Sequence, residues 1–132
     1  MKSFAAALSF LALIWTGAAV AQNVQYASAE QSQFKVASSA YKGGYYGVAM
    51  RRWLKLAEES NGAAQYNIGL MHYYGQGVAK DPVEAYKWFL LADRNGVEQG
   101  RKAIERVAHR LSPLQISDAE RRAARWNERA SR

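Results

Sequence analysis

Between residues 75 and 89 this chain sets a glycine turn (Gly75, Gly77), a helix start (Asp81, Pro82) and an apolar helix face (Ala85, Trp88, Phe89) in direct succession. Parts of the pattern return at a fixed distance. Trp53 and Trp88 lie 35 residues apart, as do Ala57 and Ala92, and Met50 and Ala85; Gly62 and Gly96, and Gln65 and Gln99, lie 34 apart. Self-similarity at such a period belongs to stacked helical hairpins, in which one unit cannot bury its own apolar face and needs a neighbour. Chains of this kind present a surface to a partner more often than they carry out chemistry. The repeat therefore bounds fold and function before any single residue is weighed.

The amino terminus reads as a targeting segment. Met1, Lys2 and Ser3 give a short basic start, residues 4–15 are uncharged and mostly apolar, and Ala19 and Ala21 frame a small-residue cleavage site. This is the pattern of a signal peptide over residues 1–21, cleaved after Ala21, which predicts a periplasmic or secreted protein. A permanent anchor needs about 20 apolar residues; the run here is shorter, and polar Gln22 and Asn23 follow it without a basic stop-transfer cluster. No later segment is apolar enough to span a membrane, so no stable span is expected after cleavage. The chain has no cysteine, which excludes a lipobox-type anchor and a disulfide framework and leaves packing alone to hold the fold. That suits a bacterial periplasmic protein better than a small eukaryotic secreted one. The formal net charge is +7, with the basic excess concentrated in residues 101–132. Such a balance steers anionic partners without specifying them, and the export signal speaks against nucleic acid.

Residues 22–30 are polar and small, without an apolar period, and read as a leader or linker. A helix is expected over 31–42, with Phe34, Ala37 and Tyr41 on one side and Gly43 and Gly44 as its stop. The next, over 46–59, carries Met50, Trp53 and Ala57 at helical spacing and breaks at Asn61 and Gly62. Ala64, Ile68 and Met71 form a further stripe ending at Gly75, within which Gly69 allows close approach of two helices. Asp81, Pro82 and Glu84 form a strong start, as cap, first-turn proline and capping-box partner. Ala85, Trp88 or Phe89, and Ala92 follow, and Asn95 and Gly96 end that helix. Val97, Gly100, Ile104, Val107 and Leu111 continue the period. Ser112, Pro113 and Gln115 begin a last helix, with Ile116, Ala119, Ala123, Trp126 and Ala130 on one face. No segment shows strand alternation. The reading is an all-α domain over residues 31–132.

Gly69, Met71, Gly75, Gly77, Val78, Asp81, Ala85, Trp88, Ala92 and Gly96 together form a helix end, a glycine turn, an acidic helix start and a spaced Ala/Trp/Ala/Gly face. In this the chain resembles the Sel-one-like repeat (SLR) family, relatives of the tetratricopeptide repeat. Ile68 stands where leucine is usual, His72 where tyrosine is, and Asp93 where a second alanine is. An earlier unit matches at Trp53, Ala57, Gly62, Ala64 and Gln65 but lacks the acidic cap at Gly44, Tyr45 and Tyr46. The likeness covers residues 44–111, and 112–130 are similar to the terminal helix that closes many bacterial members. It implies a short right-handed solenoid of antiparallel helix pairs, about two repeats plus flanking capping helices, whose concave side binds proteins or peptides. Bacterial members are often exported and linked to envelope signalling, secretion or virulence. The first helix of each pair lines the concave side, so the partner contacts implied are Arg52, Lys55, Tyr86 and Lys87.

Other candidate sites read differently. Gly75 and Gly77 lack the preceding strand of a phosphate-binding loop and fit a turn. His72 and His109 have no cysteine partners and no metal-ligand spacing, so neither a metal nor a cofactor is expected. The tryptophans fall on apolar stripes. The pairs Tyr45–Tyr46 and Tyr73–Tyr74 suit half-buried helix ends and interfaces alike. Arg121, Arg125 and Arg129 form a row, with Arg122 beside it, either as the solvated face of a capping helix or as a contact for an acidic polymer or protein. The reading from a different class is a β-lactamase-like hydrolase, after cysteine-rich relatives; the cysteines are missing here, and a non-enzymatic envelope adaptor or regulator is the expectation.

Overall fold

The computed structural model describes residues 4–130. Its elements are six helices: α1 (Phe4–Lys42), α2 (Tyr46–Glu58), α3 (Gly62–Tyr74), α4 (Pro82–Arg94), α5 (Glu98–Ala108) and α6 (Pro113–Ala130). The chain divides into two compact units after Gln33. The first unit belongs to α1, and its residues 17–29 are all exposed; Met1, Lys2 and Ser3 lie outside the described residues. Residues 22–30, read as a polar leader or linker, lie within this helix. No glycine or proline occurs between Ala18 and Lys42, so nothing interrupts helix propagation once it has begun. Among the described residues no helix is long and apolar enough to cross a membrane.

The second unit, from Phe34 onward, is all-α, a short solenoid of antiparallel pairs. Its turns follow from local chemistry. Gly44 adopts φ 79°, and the amides of Tyr45 and Gly44 return to the carbonyls of Ala40 and Tyr41, closing α1. The break after α2 falls at Ser60, with φ 63°, and Asn61, whose side chain accepts from the Ala64 amide at 2.8 Å. Gly62 is therefore not the breaker expected; it opens α3, where a Cβ would stand 2.7 Å from Val97 Cγ2.

The turn between α3 and α4 is the best specified of all. Gly75 and Gly77 both have φ 71°. The Asp81 carboxylate accepts from the amides of Val83 and Glu84, each at 3.0 Å, and the Tyr41 hydroxyl donates to Gln76 Oε1 at 2.6 Å, tying the end of α1 to the turn. Glu84 does not complete the capping box. The Asp81 amide donates instead to the carbonyl of His72, and the Glu84 side chain is used elsewhere. At α6 the box forms as expected: the Ser112 amide donates to Gln115 Oε1 and the Gln115 amide to Ser112 Oγ.

A valine at Gly77 would place its Cβ 2.5 Å from Tyr46 Cβ in a backbone region that disfavours L side chains. Gly77→Val should cost about 1–3 kcal/mol and Asp81→Ala about 1 kcal/mol, both read from denaturant midpoints. Unchanged midpoints would mean that the turn carries no such strain.

The core is arranged around α4, which packs on α3, α5 and α6. Trp53, Leu56, Ile68, Met71, Trp88 and Leu91 fill one cluster; Ala85, Tyr86, Phe89, Ala103, Val107 and Ala119 fill the other. Two glycines let helices meet: a Cβ at Gly69 would stand 2.5 Å from the Phe89 ring, and one at Gly100 2.8 Å from the Phe89 carbonyl oxygen. Buried Gln65 joins three segments, donating to the Ala57 carbonyl at 3.2 Å and accepting from Asn95 Nδ2 at 2.8 Å. No buried amide group of this side chain is left unmet, as its burial requires.

Candidate functional site

On α2, Arg52 and Lys55 are exposed. On α4, Tyr86 and Lys87 are not: they are 6% and 7% exposed, a correction to their reading as free groove residues. The cause is α6. Its backbone lies along α4 and much less along α5, and its stripe of Ile116, Ala119, Ala123 and Trp126 faces α4. Ala119 and Ala123 are fully buried, Ile116 and Trp126 half-buried, and Ala130, at the end of the stripe, is exposed. The far end of α6 reaches α2, where Glu58, Trp126, Arg129 and Ala130 line a shallow hollow.

The seam between α4 and α6 holds an unusual set of polar groups. The Lys87 ammonium pairs with Glu84 one turn earlier and lies 4.2 Å from the centroid of the Trp88 ring and 5.5 Å from that of Trp126. The two indoles meet edge-on at 4.7 Å. Arg122 spans the seam, donating to Glu84 Oε2 at 3.2 Å and reaching Asp118 at 2.6 Å on its own helix. Arg122 is thus turned inward and does not belong to the basic face in which it was placed. Arg121, Arg125 and Arg129 are exposed; Arg121 is also bonded to Asp118 at 3.4 Å, and Arg129 borders the hollow beside Trp126.

Burial sets the electrostatics here. It draws the Lys87 ammonium below its ordinary pKa despite Glu84, and the nearby charges of Arg122 and Arg129 add to this. Burial alone would raise the Glu84 carboxyl, but bonding to Lys87 and Arg122 outweighs it and holds the group below its ordinary value. Across the α3–α4 interface, burial lowers the His72 imidazole against the attraction of Glu84. The Nδ1 of His72 and the Nε1 atoms of Trp53, Trp88 and Trp126 are buried without hydrogen-bond partners.

These shifts fix a pH dependence. The unfolded chain binds a proton at residue 72 from about pH 6.5 downward while the folded chain resists it, so stability falls as the pH drops through that range. The contribution of Glu84 is present above its unfolded value of 4.5 and is lost as the pH falls through the lower folded value. Thermal midpoints should decline in two stages on acidification. His72→Gln should remove the first and Glu84→Gln the second; a midpoint independent of pH would contradict both assignments.

The remaining candidates are placed as follows. His109 is exposed at the end of α5. Among the described residues no group of three His, Asp or Glu is placed to hold a metal. The spacing Ser-x-x-Lys, used by lysine-activated serine hydrolases, occurs twice in α1, at Ser32–Lys35 and Ser39–Lys42, on four exposed side chains. Tyr73 and Tyr74 meet edge-on at 5.0 Å and, with Leu70, Phe89 and Arg106, border a small groove between α3 and α5; Tyr74 is 61% exposed. Tyr45 is also exposed, while Tyr46 packs on Tyr41 at 5.4 Å. Sequence spacing gave no sign of the Glu84–Arg122 link, whose partners are 38 positions apart.

Comparison with known proteins agrees with this architecture. Residues 62–97 match the Sel1 repeat family, covering α3, the glycine turn and α4. The chain is 34% identical over 67 residues to an exopolysaccharide production negative regulator of Rhizobium meliloti (strain 1021), covering 51% of this chain and 25% of that protein. It is 40% identical over 45 residues to chitin synthase regulatory factor 3 of Schizosaccharomyces pombe (strain 972), covering 34% of this chain and 5% of that one. Among solved structures, a protective antigen present in uropathogenic Escherichia coli strains, displaying an SLR fold, superimposes with a TM-score of 0.68 at 27% identity, over 75% of this chain and 22% of that chain. The chain spans a quarter or less of the length of each of these relatives. With the glycine turn, the capped α4 and the paired helices all in place, residues 62–97 form a Sel1 repeat and the chain shares the helical solenoid architecture of its SLR-fold relative.

Proposed function

We propose that this protein is an exported interaction module, an adaptor or regulator in the bacterial envelope, that engages a partner protein on the face formed by α2 and α4. The observation carrying this reading is that the face of α4 accommodates an amphipathic helix, its own α6, through alanines, an indole pair and a cross-seam ion pair. Arg52 and Lys55 stand exposed on neighbouring α2 and favour an acidic or amphipathic segment. Two of the relatives are named as regulators, which is consistent with a module acting through other proteins.

The test pairs export with capture. Intact-mass measurement of the exported protein should show cleavage between Ala21 and Gln22; full-length chain stably embedded in membrane would contradict export. With a captured partner in hand, Arg52→Glu with Lys55→Glu should abolish binding and leave the helical signal unchanged. Reversing Arg121, Arg125 and Arg129 should change only the on-rate and its salt dependence. The opposite pattern would favour the second reading, a cationic binder of an acidic envelope polymer or protein, for which the exposed arginines of α6 are the supporting observation.

A further inference from the structure

Most of α4 is committed to the fold: it is enclosed by α3 on one side and α5 on another, and its remaining side is covered by α6. Three features describe how this cover is held. The α6 side chains fully buried are the small ones of Ala119 and Ala123, while its larger apolar groups, Ile116 and Trp126, are only half-buried. Its polar link, Arg122 to Glu84 at 3.2 Å, is part-exposed. Both indole N–H groups of the seam, on Trp88 and Trp126, are buried without an acceptor, as that of Trp53 is elsewhere in the core, so no hydrogen bond from either ring fastens the seam. A helix held in this way opens before the body to which it is docked.

We propose that α6 is a displaceable occupant of the α4 face, and that the partner replacing it is an amphipathic helix of the same design. Such a helix presents two small residues four positions apart and an aromatic residue three positions after the second, the spacing of Ala119, Ala123 and Trp126. An arginine or lysine precedes the second small residue, as Arg122 does, and meets Glu84. This rests on the reading of the chain as a protein-binding module and names the partner's chemistry. Free protein is then closed, and partner affinity is lowered by the fraction of time α6 stays docked.

The experiment uses the full chain and a labelled synthetic peptide of residues 113–130. In the wild type, hydrogen exchange should show α6 amides opening at least about tenfold faster than those of α3 and α4, without global unfolding. Arg122→Glu faces Glu84 and Asp118 with like charge; it should raise α6 exchange further and increase peptide affinity by about tenfold or more, with α3 and α4 still protected. Exchange of α6 only in step with α3 and α4 in the wild type would overturn the proposal, whatever the variant does. So would an opened Arg122→Glu chain that fails to take up the peptide. Failure of the Arg52 and Lys55 reversal to affect capture would count against the adaptor face alone, because α6 opening and peptide uptake are read without the natural partner.

Discussion

Trp88→Ala should destabilise the protein by about 3–5 kcal/mol, the range for emptying a large aromatic from a core. Trp88 is 2% exposed, shares a cluster with Trp53, Ile68, Met71 and Leu91, and carries the indole face beneath Lys87 at 4.2 Å. Its loss would open a cavity and leave a buried ammonium without its aromatic cover. Set against typical domain stabilities of roughly 5–15 kcal/mol, this is enough to make the fold marginal, and equilibrium denaturation would read it directly. Trp88→Phe is the informative companion. The indole N–H has no acceptor, so phenylalanine forfeits volume but no hydrogen bond and should lose markedly less. Equal losses from Ala and Phe would show that the N–H, not the packing, matters.

Gly100→Ala should cost about 2–3 kcal/mol although alanine is the better helix former. The added carbon would stand 2.8 Å from the Phe89 carbonyl oxygen, 2.9 Å from the Asp93 amide nitrogen and 3.1 Å from Ala92 Cβ. Two of these are backbone atoms of α4, which cannot swing aside as a side chain can, so α4 and α5 must separate. Gly47→Ala supplies the control: the nearest atom to its Cβ would be Arg51 Nη1 at 3.8 Å, and the substitution should stabilise by about 0.5–1 kcal/mol. Opposite signs at these two helical glycines, measured as shifts in denaturant midpoint, are the expected result; matching signs would remove the close-packing argument for Gly100.

What was legible in the sequence was whatever short-range chemistry decides. Asp81 and Pro82, Ser112 and Gln115, and the two positive-φ glycines of the α3–α4 turn declare their roles within a few residues. Apolar spacing likewise named the inward faces of α2, α4 and α6. Spacing does not say which neighbour a face will meet. Lys87 was placed on the concave side because the resemblance puts the first helix of each pair there; only the position of α6 buries it. Tyr86 was misplaced for the same reason, and Arg122 was grouped with Arg121 and Arg125 because sequence shows a charge run without showing that one member turns inward. Residues 22–30 show a helix that apolar spacing does not announce. A polar stretch without a stripe has no face to bury, yet it remains helical where no breaker stops it.

The edge-on approach of Trp88 and Trp126 at 4.7 Å has an optical consequence. Two indoles so close couple their electronic transitions, and a neighbouring ammonium perturbs the excited state of whichever ring it faces. Ultraviolet circular dichroism and intrinsic emission therefore carry a signal belonging to the α4–α6 contact itself. The protein comes with its own unlabelled gauge of whether that contact is made, legible in dilute solution and on the time scale of a stopped-flow mixer.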